Sequence, residues 1–210
     1  PYNAKPFSNR SYIRDAFKEK GVDVDKEELT QCVKAVRSAM NVVVPGAMSV
    51  MKWIEQEIAR AIKSGADEIK WTTPSGFNVR QRLMKYKSTV IQTQLMGRCE
   101  IHLAGAETGV DLSHHKNATA PNLIHSLDAS LLHIATTSTD FPIALIHDSV
   151  LCRATDMCTL SSLVRKTYMH LFAEHEPLTD FALAIAAEEQ PPIIGDLQPE
   201  AVIDSQYFFC

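Results

Sequence analysis

PIALIHDSVLC, residues 142–152, sets two short apolar runs, Ile143 to Ile146 and Val150 to Cys152, on either side of His147, Asp148 and Ser149. Runs of that length interrupted by turn-forming polar residues predict a β-hairpin with a three-residue loop. The hairpin would lift the Asp148 carboxylate to its tip, backed by buried strands. A hard cation such as Mg²⁺ needs oxygen ligands at fixed positions, and a carboxylate on a rigid tip offers one at little ordering cost. Aspartate also simply makes turns, so spacing alone leaves both readings open.

Upstream of the hairpin, Pro121 and Asn122 predict a helix start, with Asn122 as N-cap and Leu123, Ile124, Leu127, Leu131 and Ala135 on the buried side. His125 and Asp128, three apart, share another face of that helix. It is either a ligand-facing surface or a solvated one. Residues 104–119, rich in Gly, Ser, His and Asn, predict a loop.

Before that loop, the sequence changes period from 3.6 to two. Tyr12 to Lys20 predicts a short surface helix closed by Gly21. A second helix is expected from Lys26 to Val44, and Pro45-Gly46 breaks it. Met48, Met51, Ile54, Ile58, Ala61 and Ile62 then form an apolar stripe up to Gly65. From Glu68, the segments around Pro74-Ser75-Gly76 predict a second hairpin, and strands near 88–94 and 98–103 would continue its layer. After residue 152, Thr155 or Asp156 would cap an amphipathic helix through Leu160, Leu163, Val164, Thr167, Tyr168, Leu171 and Phe172. The tail from Glu188 ends in Tyr207, Phe208, Phe209 and Cys210, too apolar to hang free.

Composition constrains function only loosely. With 45% hydrophobic and 22% charged residues, the 210-residue chain has the balance of a globular protein of one or two domains. Five scattered cysteines with no CxxC pair indicate reduced thiols, not a disulfide frame or a zinc site. No apolar run approaches the roughly 20 residues of a membrane span, and no targeting segment is seen, so a cytoplasmic protein is expected, the host's cytoplasm if the source is viral, with an organelle the other option. A net charge of −4 is unlike a free-standing nucleic-acid module, though a large enzyme can confine its positive charge to one channel.

NLIHSLDASLL from Asn122 followed by ALIHDSV from Ala144 resembles the paired C-terminal motifs of single-subunit, phage and mitochondrial type, DNA-dependent RNA polymerases. YNAKPF from Tyr2, WTTPSGF from Trp71 and DSQYFF from Asp204 also resemble family segments in the right order, so the likeness spans nearly the whole chain. It implies an α+β fold, the C-terminal part of a right-hand polymerase. Residues 1–120 would be fingers-side helices and a β-hairpin insertion, 121–187 a palm on a small antiparallel sheet, and 188–210 a tail docked near the active site.

The resemblance also assigns roles. Asp148 would be the second of two aspartates holding two Mg²⁺ ions, the first lying outside this chain together with the Arg and Lys that clamp the triphosphate. Tyr2 would close the nucleotide site and favour ribose, and His125 would contact the ribose 2′ hydroxyl or the minor groove. His147, Ser149, Asp128 and Phe209 would support them, with Tyr207, Phe208 and Phe209 packed as a foot beneath the site. The implied partners are a second polypeptide with the N-terminal part, a DNA template, the RNA product and NTPs, with no membrane. Three other readings remain at this point: a fragment like a family A DNA polymerase, a metal-dependent phosphohydrolase using His114, His115, His147 and Asp148, and a non-catalytic polymerase-like module.

Overall fold

A computed structural model describes residues 6–94, 99–193 and 195–208. Helix α1 (Pro6–Glu19) ends at Gly21, whose φ of 68° lets Val22 N–H return to the Phe17 carbonyl at 3.0 Å. Helix α2 (Lys26–Val43) starts with a capping box: Asp25 accepts from the Glu27 and Glu28 amides, and Glu28 accepts from the Asp25 amide. Pro45 cannot extend α2 but suits a first helical position, so α3 (Pro45–Lys63) begins there. The predicted breaks at Gly21 and Pro45 are both present.

Strands β1 (Ile69–Thr72) and β2 (Asn78–Gln81) form the hairpin around Pro74-Ser75-Gly76, Gly76 supplying a φ of 81°. Strands β3 (Met84–Thr93) and β4 (Cys99–Val110) are longer than expected and do not extend that layer. Among the described residues they pair only with each other, as a largely exposed antiparallel arm. Strands β5 (Ile143–Ile146) and β6 (Ser149–Cys152) form the third two-stranded ribbon among the described residues.

Residues 104–119 are not a loop. Glycines at 105 and 109 lie within β4, opposite register shifts at Lys85, Tyr86 and Ser88, so they mark an irregular strand. Helix α4 (Leu112–Thr137) then starts ten residues before Asn122, with Asp111 as N-cap accepting from the His114 amide at 2.9 Å. Pro121 lies inside this helix. An interior proline costs about 3 kcal/mol, and each fully buried leucine returns about 2 kcal/mol. Leu123, Leu131 and Leu132 are all buried on α4, so packing outweighs the break.

Helix α4 spans two cores. Its first half packs Ala120 and Leu123 with Trp53, Ile54 and Ile58 of α3, Ile69 and Trp71 of β1, and Phe181 of α6 (Pro177–Ala184). Its second half packs Leu131 and Ala135 on Leu160, Val164 and Leu171 of α5 (Met157–Glu174). Ile124 points outward, 44% exposed, against the buried position expected for it. Asp156 precedes α5 but makes no side-chain cap; its carboxylate pairs with Arg153 at 2.7 Å.

The tail is docked as its composition predicted, in part. Val202 is buried, Arg165 of α5 donates to the Val202 carbonyl and to Ser205, and Phe208 meets Tyr168 edge-on at 5.1 Å. Tyr207, in contrast, is 84% exposed, with no packing partner among the described residues. No helix among the described residues is long and apolar enough to cross a membrane.

Candidate active site

The β5–β6 hairpin is tighter than its sequence suggested. Ile146 pairs with Ser149, which leaves a two-residue turn of His147 and Asp148. His147 has a φ of 56° and Asp148 is not left-handed, the sign pattern of a type II′ turn. Glycine is the usual residue there, so His147 holds a costly conformation to form the tip. The strands behind it are not buried: Leu145, Ile146 and Leu151 are exposed, and Val150 and Cys152 anchor the ribbon to the second core. Short strands with outward apolar side chains carry Asp148 on a projecting ribbon, where a buried support was expected.

Asp148 is exposed, and among the described residues its oxygens accept no hydrogen bond and meet no cation. Its charge reaches Asp128 on α4. Burial raises the Asp128 carboxyl above its ordinary range, His125 opposes the rise, and the Asp148 charge adds to it. The Tyr168 hydroxyl is raised too, by burial and then by Asp128. Thus His125, Asp128 and Asp148 share one electrostatic neighbourhood, with Tyr168 and the docked tail behind it. Ser149 and His147 are exposed at the tip, while Tyr2 and Phe209 lie outside the described residues.

His125 also lines a cleft of about 530 Å³ between α4 and the β1–β2 hairpin, with Phe77, Arg82, Asn122 and His133 among its walls. Two serines that sequence reasoning passed over build this cleft. Ser126 accepts from Trp71 Nε1 at 2.9 Å and donates to the Leu123 carbonyl at 2.7 Å, while Ser130 accepts from the Ser75 amide at 2.7 Å. The available signal was that the two serines lie four apart, and so on one face of the helix, inside the same motif as His125.

The four residues of the phosphohydrolase reading do not converge. His114 is exposed, His115 is wholly buried with Nε2 accepting from the Leu83 amide, and His147 is at the hairpin turn. Among the described residues no three His, Cys, Asp or Glu side chains are grouped to hold a metal. That reading is set aside.

A family model for DNA-dependent RNA polymerase matches residues 1–190. The chain belongs to that family. A DNA-directed RNA polymerase of Pseudomonas phage phiKMV is 30% identical over 178 residues, covering 83% of this chain and 22% of the phage protein. DNA-directed RNA polymerase 2A of Nicotiana tabacum is 28% identical, covering 99% of this chain and 65% of the plant protein. DNA-directed RNA polymerase 2, chloroplastic/mitochondrial, of Arabidopsis thaliana is 27% identical over 99% of this chain and 21% of its own length. The chain therefore spans about a fifth of the phage and Arabidopsis polymerases and just under two thirds of the tobacco 2A protein. Its mixed helices and small antiparallel ribbons fit an α+β portion of such a polymerase.

Proposed function

We propose that this chain is the C-terminal catalytic part of a single-subunit DNA-directed RNA polymerase, and that Asp148 is one of its metal-binding carboxylates. The observation that carries the proposal is an exposed aspartate, with uncommitted oxygens, held on a strained two-residue turn beside a second acid. That donor set fits a hard divalent cation, which prefers carboxylate oxygen and tolerates retained water. Two Mg²⁺ ions, when bound, would activate the RNA 3′ hydroxyl and neutralise the charge of the departing pyrophosphate. The other metal-binding aspartate and the cations that clamp the triphosphate would come from outside these residues, on a second polypeptide or another part of a longer one.

The chain's own residues then divide the work. The left-handed turn at His147 fixes where the Asp148 carboxylate projects. Asp128 keeps negative charge beside that carboxylate. His125, exposed at the cleft, offers a ring that can both donate and accept, which suits a ribose 2′ hydroxyl or the minor-groove edge of a new base pair. Tyr2 would close the nucleotide site, Ser149 and Phe209 would support it, and DNA template, RNA and NTPs would be the bound species. Residues 1–120, 121–187 and 188–210 serve as fingers side, palm and docked tail, with α4 running through the first boundary. The site would work in the cytoplasm, or the host's.

Primer extension by the assembled polymerase tests this. Asp148→Asn should lower the rate about a hundredfold or more, because an amide cannot replace the charge that holds the cation. An unchanged rate would leave the non-catalytic reading in its place. Extension of a primed template by this chain alone would remove the need for groups from outside it.

A further inference from the structure

The β3–β4 arm is rooted at Leu83, the residues on either side of which belong to the cleft wall and to β3. Three ties meet there. The Leu83 carbonyl accepts from the Asp111 amide at 2.9 Å, its N–H donates to His115 Nε2 at 3.1 Å, and Arg82 forks onto Glu107 of β4 at 2.8 and 2.6 Å. His115 is 0% exposed, and its Nδ1 lies 3.2 Å from the side-chain amide of Gln81. Gln81 in turn meets Thr119 at 2.8 Å and Asn122 at 2.7 Å, and Gln81, Leu83, Asn122 and His125 all line the cleft.

Counting protons fixes the ring. A backbone N–H can only donate, so Nε2 must present a lone pair, and a neutral imidazole then carries its one proton on Nδ1. An imidazolium would set two N–H groups against each other at Leu83. The end of the Gln81 amide that faces Nδ1 must accept, which makes it the oxygen, since the two amide ends match in shape and the protons decide. That oxygen takes the Thr119 hydroxyl proton in place of the His115 carbonyl 2.7 Å away, and the amide nitrogen donates to Asn122, whose own amide then presents its oxygen. Burial pushes the His115 imidazole below its ordinary range, His114 adds to this and Asp111 opposes it, in keeping with a neutral ring.

We propose that His115 is a positioning residue: as the Nδ1–H tautomer it ties the root of the arm to α4 and, through Gln81 and Asn122, sets the cleft wall facing His125. The polymerase reading enters only in what the cleft would hold. Nitrogen NMR of the chain with labelled histidines should show His115 protonated at Nδ1 and its Nε2 coupled to the Leu83 amide; a proton on Nε2 overturns the assignment. His115→Leu should raise hydrogen exchange at the Leu83 amide about tenfold or more by leaving it unpartnered. It should also shift the His125 ring resonances while α3 stays protected. His115→Gln, which offers an acceptor to Leu83 and a donor to Gln81, should restore both. Unchanged exchange in the leucine variant, or no rescue by glutamine with α3 still protected, refutes the tie. If the leucine variant also loses α3 protection, the ring protonation of the unaltered chain decides alone. Nucleotide addition is measured in none of these, so failure of the polymerase reading would leave the result standing.

Discussion

At the scale of single residues, two acids close enough to feel each other are an unusual expense for a folded chain, and Asp128 shows it. Its carboxyl is raised by burial, lowered by His125 and raised again by Asp148. A raised acid favours the folded state in its protonated form, so this stabilisation is fully present below its ordinary value of 3.8 and is lost as pH rises through the folded-state value. Asp148→Asn removes one of the charges responsible. The Asp128 titration, followed by carboxyl-carbon NMR, should then move down, and the loss of stability on raising pH from the acid side should shrink. His125→Ala should move the same titration up. A midpoint for Asp128 that ignores both substitutions would mean that α4 and the hairpin tip do not share a neighbourhood.

At the scale of elements, turn chemistry and the two hairpins it closes were legible, and the place of the third pair of strands was not. Pro45, Gly65, Pro74-Ser75-Gly76 and His147-Asp148 announce their breaks through backbone limits that each residue carries with it, and the structure has a break at each. Residues 104–119 misled because their Gly, Ser, His and Asn content is that of a loop, while tertiary contacts make them strand and helix. His115 is buried against Gln81 and Leu83, and Pro121 is carried inside α4 by the packing on either side, facts no local window contains. The proximity of Asp128 to Asp148 was equally hidden, since it depends on how α4 meets a ribbon packed against the second core. The glycines of β4 make the point testable. A Cβ at Gly105 would approach the Lys87 carbonyl to 3.0 Å, and Gly109 has a φ of 142° that a side chain resists. Gly105→Ala and Gly109→Ala should each speed amide exchange along β3 and β4, at a local cost of about 1–3 kcal/mol. The arm is exposed along nearly its whole length, so exchange in α3 and α4 should not change.

For the whole molecule, the stretch after α6 is held to the first core by one buried acid. Glu57 is 3% exposed on the apolar stripe of α3, at a position that its periodicity alone would give to a hydrophobe. Its carboxylate accepts from Arg60 Nε at 2.9 Å and from the Glu188 amide at 3.0 Å, while Arg60 reaches the Ala186 carbonyl at 2.6 Å and Trp53 Nε1 donates to the Glu189 carbonyl at 3.0 Å. Burial pushes the Glu57 carboxyl up, but hydrogen bonds from Arg60 and Glu188 and the Arg60 charge outweigh it and hold the group below its ordinary range. A depressed acid stabilises the fold above its ordinary value of 4.5 and loses that contribution as pH falls through the folded-state value. Glu57→Ala leaves Arg60 and the Glu188 amide without their acceptor and should cost about 3 kcal/mol near neutral pH, measured by urea unfolding. Glu57→Gln keeps one acceptor and should cost about half as much. Because neither variant can lose a proton at this position, the gap between each and the unaltered chain should narrow as the medium is acidified below the carboxylate range. A gap that stays constant into acid would mean that Glu57 packs at this site without its charge contributing.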